Sequence, residues 1–267
     1  MPAQPPLRVF TGTSGWAYPT WKPGFYPDKW PARRFLEHYS TRLNSVEVNY
    51  TFRKLPTRAQ LAEWLAAVPP GFCFSFKAPE AITHRRRLRN CAESVGQFVA
   101  SLEPVRAAGA LGCLLFQLPP NFKSDTDRLR QFLQLPELAG AGRLAFEFRH
   151  GSWFSEETYA LLRAAGAAMC VAESDLLQTP EVHTAPDFCC FRLRRPGGYS
   201  VAAINRHAAK FRTLCAEREV FVYYKHEDEP HGPLAAEAML RSATKPPRRS
   251  PDRISAGLKI SAEAQGV

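Results

Sequence analysis

Eight short apolar runs recur along the chain, near residues 8–14, 44–49, 72–77, 111–118, 142–148, 168–173, 187–193 and 219–225. Segments with helical periodicity separate most of them, over 31–42, 57–67, 90–108, 125–135, 155–165 and 203–217, with a last one at 233–243. Strand then helix, repeated, implies parallel pairing, because parallel neighbours need a long crossover connection. Eight such units in 267 residues fit a closed (β/α)8 barrel better than an open doubly wound sheet, which has fewer strands and a Gly-rich phosphate turn. No GxGxxG follows any of these runs. Between the sixth and seventh runs, SDLLQTPEVHTAP has room for barely one helical turn, so the sixth helix is expected to be degenerate. The expected fold is an α/β TIM-type barrel, a single domain over 1–243, followed by a disordered, basic, Pro-rich tail over 244–267.

Composition narrows the class further. With 45% hydrophobic and 22% charged residues, the chain is neither wholly disordered nor fibrous. No apolar stretch reaches the roughly 18 residues of a membrane span, and MPAQPPLRVF lacks the apolar run of a secretory signal. The expectation is a cytoplasmic protein with no membrane partner. Seven cysteines without a CxxC pair, mostly inside apolar runs, read as reduced core residues. The net charge of +10 favours anionic partners, either an anionic small molecule or nucleic acid. Part of that excess, Lys245, Arg248, Arg249, Arg253 and Lys259, lies on the tail. Oligomeric state is left open.

Alternate residues of a barrel strand face inward. Phe72, Phe74 and Phe76 share one phase, which leaves Cys73, Ser75 and Lys77 inward; Leu144, Phe146 and Phe148 likewise leave Ala145, Glu147 and Arg149. The same spacing sends Ser45, Glu47 and Asn49 inward, then Leu115 and Gln117, then Val171, Glu173 and Asp175. Arg192 and Arg194 follow, and Phe221, Tyr223 and Lys225 complete the set. In each strand the polar residue comes last, at the end where barrel enzymes keep their sites. An excess of cations over carboxylates in this ring suits an anionic ligand.

No metal-ligand spacing such as HExxH occurs, and so many cations in the ring compete with a divalent ion for its carboxylates. No cofactor is expected, and a divalent metal is not favoured, although His84, His150 and His226 could converge from loops. Glu147 and Glu173, flanked by Arg149 and Lys225, are the acid/base candidates, their pKa values driven apart by unequal surroundings. Glu47 would orient Lys77, while Lys77, Arg149 and Lys225 would stabilise developing negative charge. The long loop GWAYPTWKPGFYPDKWP reads either as a stacking wall over the mouth or as a Pro-stiffened lid packed on itself. The run HRRRLR, His84 to Arg89, reads either as a solvated surface or as part of a cationic rim with Arg192, Arg194 and Arg195.

Six ordered blocks, GTSGWAYPTW with FYP, NSVEVNYTFRKLP, FSFKAPEAITH, LLFQLPPNF, EFRHGSW and VYYKHEDEPHGP, resemble the YecE-like family (domain of unknown function 72) over about residues 8 to 243. The resemblance implies a TIM-barrel-like fold. It also implies that Trp16, Glu47, Asn49, Lys77, His84, Gln117, Glu147, Arg149, His150 and Trp153 belong to its motifs. Barrels of this kind invite analogy with apurinic endonucleases and so with phosphodiester chemistry. Strand seven departs: many relatives show Arg followed by His-Gly, where this chain reads Arg192-Leu193-Arg194-Arg195-Pro196.

The expected catalytic residues are thus Glu47, Lys77, Glu147, Glu173 and Lys225. Trp16, Asn49, His84, Gln117, Arg149, His150, Trp153, Arg192, His226 and Asp228 are expected to contact substrate. The leading expectation is an enzyme acting on a phosphate-bearing or other anionic substrate by acid/base chemistry. Its alternative is a non-enzymatic nucleic-acid-binding module that uses the basic rim and the aromatic loop.

Overall fold

Alternating apolar runs close on themselves in the computed structural model, which describes residues 9–174, 177–225 and 229–244. Eight parallel strands, β1 (Val9–Thr13), β2 (Ser45–Val48), β3 (Cys73–Lys77), β4 (Leu111–Gln117), β5 (Arg143–Glu147), β6 (Ala168–Ala172), β7 (Phe188–Leu193) and β8 (Glu219–Tyr224), pair in the order β1-β8-β7-β6-β5-β4-β3-β2. The helices α1 (Phe35–Ser40), α2 (Arg58–Ala66), α3 (Ala92–Ser101), α4 (Glu103–Ala107), α5 (Thr126–Leu133), α6 (Glu156–Ala164), α7 (Val201–Leu214) and α8 (His231–Thr244) follow their strands. Several start on side-chain caps, including the Thr57/Gln60 capping box of α2 and the Ser155 and Ser200 caps of α6 and α7. None of these helices is long and apolar enough to cross a membrane.

Side chains, more than backbone, close the barrel between β1 and β2. The Thr11 amide donates to Asn44 Oδ1 and Asn44 Nδ2 donates to the Val9 carbonyl, each at 2.8 Å. The Tyr39 hydroxyl accepts from the Thr13 amide at 2.8 Å and donates to the Ser45 carbonyl at 2.9 Å. Backbone contact resumes at the top, where the Gly15 amide donates to the Glu47 carbonyl at 2.8 Å. Gly12 permits this approach, since a Cβ there would sit 1.8 Å from the Ser45 oxygen.

Two structural details differ from expectation. The helix expected over 90–108 breaks at Leu102 into α3 and α4, because Pro104 has no amide to donate and its ring disfavours helical backbone before it. The degenerate sixth helix proves to be no helix: 173–187 contains none among the described residues. There Thr184 Oγ1 donates to the Ala167 carbonyl at 2.6 Å and accepts from the Met169 amide at 2.8 Å, tying the loop back onto β6. The helix at 231–244 includes Thr244, and the tail beyond it lies outside the described residues.

The two strand faces separate as the spacing requires, with one exception. Phe74, Phe76, Phe116, Phe146 and Phe148 belong to the core beneath the helices, each buried phenyl adding about 1.5–3 kcal/mol. Cys73, Cys113, Leu115, Ala145, Phe188, Cys190, Phe221 and Tyr223 fill the barrel. The exception is β6, where Ala168 and Cys170 face in while Met169 and Val171 pack outward. All seven cysteines are free thiols.

The aromatic loop after β1 packs on itself. Trp21, Phe25 and Tyr26 are buried, and Tyr26 stacks on Phe35 with centroids 4.0 Å apart.

Candidate active site at the barrel mouth

One guanidinium organises the C-terminal end of the barrel. Arg192, at 6% exposure, reaches Glu147 Oε2 through Nη1 and Glu47 Oε1 through Nη2 at 2.8 Å, both carboxylates being at most 1% exposed. Ser14 donates its hydroxyl to the same Glu47 oxygen at 2.7 Å. Gln117 Nε2 and Arg149 Nη1 donate to Glu147 Oε1 at 2.8 and 3.0 Å. Burial alone would raise the Glu147 carboxyl, but the charges of Arg192 and Arg149 and the Gln117 amide outweigh it and bring the group down to about 2. A carboxylate held this way stays ionised at neutral pH. Glu147 therefore anchors the arginines and has no proton to give.

Beside this anchor lies a group suited to proton transfer. Lys77, the last residue of β3, is brought down to about 8, first by burial and then by the charge of Arg192, against the pull of Glu47 and Glu147. Its ammonium lies 4.1 Å from the Phe52 ring centroid. His84 meets the same ring edge-on at 5.0 Å. Burial, then the Lys77 charge, lowers His84 below its ordinary value, so its ring is neutral at pH 7. Its Nδ1 lies 2.9 Å from Thr83 Oγ1, which helps fix the ring.

A cavity of about 20 Å3 opens over the anchor, lined by Glu147, Arg149, Ala172, Glu173, Ser174, Arg192, Arg194 and Lys225. That is room for one water-sized group. Three buried atoms nearby have no protein partner: Glu47 Oε2, Arg192 Nε and Asn49 Oδ1. Unpartnered buried polar atoms are costly, and they mark a place where water or a ligand atom is accommodated.

The chain matches the family described as "Protein of unknown function DUF72" over residues 10–255. It belongs to the DUF72 family. Among curated relatives it is 27% identical over 166 residues to UPF0759 protein YunF of Bacillus subtilis, and 29% identical over 150 residues to UPF0759 protein YecE of Escherichia coli. Those matches span 59% and 55% of this chain and only 58% and 51% of the relatives, so the chain covers little more than half of their length. A crystal structure of a DUF72 family protein from Thermotoga maritima superposes with a TM-score of 0.76 at 25% identity, covering 87% of this chain and 98% of that one.

Within this DUF72 barrel, some of the expected residues gather at the mouth and others do not. Glu47, Gln117, Glu147, Arg149 and Arg192 form one bonded cluster, with Lys77 and Lys225 within its electrostatic reach. Glu173 also lines the cavity over the anchor, but outside the bonded cluster: its carboxylate accepts from Arg195 Nη2 at 2.9 Å and from the Tyr199 hydroxyl at 2.6 Å. The row AMCVA is apolar in both phases, and the crowded interior takes its small residues.

Trp153 is sealed in the core, whereas Trp16 is only partly buried. The Trp153 indole is fully buried, donates to the Phe122 carbonyl at 2.8 Å and stacks on Phe148 at 4.7 Å, so no substrate reaches it. Trp16 packs edge-on against Trp64 at 5.2 Å. His150 accepts from the Ser152 amide at 3.1 Å and caps the turn Gly151–Trp153. His226 and Asp228 lie outside the described residues.

Among the described residues no group of three or more His, Cys, Asp or Glu side chains is placed to hold a metal ion. Ser14 and Phe52, which complete the site, carried no signal of their own. Each is an ordinary residue inside a quoted motif, made functional only by the closure of β1 against β2 and of the β2 loop over β3.

Proposed function

We propose that this chain is an enzyme of acid/base chemistry on a phosphate-bearing substrate, working at the open end of the barrel with Lys77 and His84 as the proton-carrying pair. The observation that carries this reading is the lowered Lys77 ammonium sharing Phe52 with a neutral imidazole, beside carboxylates already committed to Arg192. A general acid works best with a pKa near the ambient pH. Lys77, at about 8, is largely protonated at pH 7 and gives its proton readily to a leaving oxygen. His84 takes one from the attacking water or hydroxyl, and the two exchange to reset. Arg149, Arg194 and Lys225, which line the opening over the anchor, would hold the anionic group by charge-assisted bonds.

In this reading Glu147 and Glu47 hold the arginine framework, and Glu173 tethers Arg195. Seven free thiols fit a reducing, cytoplasmic setting.

The test is turnover of bis(4-nitrophenyl) phosphate and a panel of phosphomonoesters and diesters. Lys77→Met and His84→Ala should each lower turnover by about 10²–10⁴-fold. Undiminished turnover in both variants, or no ester turned over by the wild type, contradicts the proposal.

A further inference from the structure

We infer that a cleft beside the mouth binds the phosphodiester backbone of a single-stranded nucleic acid, which makes the substrate an extended chain; this rests on the phosphate-directed reading of the mouth. The cleft, of about 430 Å3, is lined by Arg85, Arg86, Arg87, Arg89, Asn90 and Arg128. It lies between the loops that follow β3 and β4, on the face where the mouth opens.

Like charges are held together there by the fold. The guanidinium carbons of Arg87 and Arg128 lie 5.8 and 5.1 Å from the centroid of one ring, Phe122. Arg128 Nη1 also donates to the Arg87 carbonyl at 3.5 Å. Two cations over one ring repel each other, and an anion between them relieves that repulsion.

The backbone is bent to keep them so. Arg87, Leu88 and Asn90 have φ of +47°, +67° and +46°, a left-handed conformation that non-glycine residues hold at a cost and that collects at functional sites. Leu88, 4% exposed, is driven into the core and pins the loop, while the arginines on either side fan outward. The acids in reach are few: Glu80 is shared between Arg53 and Arg85, and Asp125 pairs with Arg128.

The direction of the chain favours a polymer over an isolated phosphate. Arg85 follows His84 directly, so a strand lying in the cleft leads to the Lys77–His84 pair. Guanidinium forks match phosphate oxygens better than a lone ammonium does.

The test is binding of a fluorescein-labelled 12-mer oligothymidylate to the full chain across a salt series. Arg87→Gln with Arg128→Gln removes two phosphate contacts, so the slope of log affinity against log salt should fall by about 1.4. Between 50 and 200 mM salt the wild type should therefore lose about sevenfold more affinity than the variant. Arg85→Gln with Arg89→Gln, which leaves the Phe122 stack and Leu88 untouched, repeats the measurement should the first variant unfold. An unchanged slope in the folded variants overturns the inference, as does equal competition by inorganic phosphate or an oligo-aspartate peptide. Ester turnover by the wild type reads the mouth separately: its absence sinks the mouth reading, while the slope still decides the cleft.

Discussion

Replacing Arg192 with leucine strips the mouth of the guanidinium that touches both Glu47 and Glu147. The Glu147 carboxyl, held at about 2 instead of its ordinary 4.5, gains stability from its surroundings of roughly 3 kcal/mol at about 1.36 kcal/mol per pH unit. Breaking a buried ion pair by removing one partner costs about 3–5 kcal/mol, so the two routes agree on the expected loss. Its pH dependence follows from the sign of the shift. A depressed carboxyl contributes fully above pH 4.5, and that contribution fades as pH falls toward 2. In the variant, burial without Arg192 raises the carboxyl, so the damage is greatest at neutral pH and shrinks in acid. Urea unfolding followed by circular dichroism at pH 7 and pH 4 measures both values. A loss below about 1 kcal/mol at pH 7, or an equal loss at both pH values, refutes the reasoning. Neutralising the whole cluster, with Glu47→Gln, Glu147→Gln and Arg192→Met together, should recover most of the stability.

Gly12→Ala should prevent the barrel from closing, since the added Cβ meets the Ser45 carbonyl at 1.8 Å; the expected result is insoluble protein or a thermal midpoint lowered by more than 10 °C, corresponding to several kcal/mol. Asn44→Leu leaves the Thr11 amide and the Val9 carbonyl unpaired and should cost about 2–4 kcal/mol in urea unfolding. Trp153→Phe removes the bond to the Phe122 carbonyl and should cost about 1–3 kcal/mol while leaving ligand affinity at the mouth unchanged, measured by calorimetry.

The polar strand ends were legible because each sits two residues from an inward residue on a strand whose other face is apolar. Phe74 and Phe76 left Lys77 no choice, and Phe146 and Phe148 left Glu147 none. The row AMCVA of β6 has no such contrast, and the expected phase put Val171 and Glu173 inside, where the barrel takes Ala168 and Cys170. Roles were harder to read than positions. Glu147 is where the spacing placed it, but whether a carboxyl carries protons depends on its donors, and Arg192, Arg149 and Gln117 come from three different strands or their ends. Trp153 misled because a tryptophan after a strand looks the same in sequence whether its indole faces a ligand or a carbonyl. The Asn44 and Tyr39 bonds that close the barrel join residues whose pairing appears only once β1 and β2 meet.

The titration of Lys77 tests the account most directly. Heteronuclear NMR of the lysine side chains, assigned by Lys77→Met, should show one ammonium titrating near pH 8 and moving upward when inorganic phosphate is added. A Lys77 midpoint above pH 10, indifferent to phosphate, would contradict it.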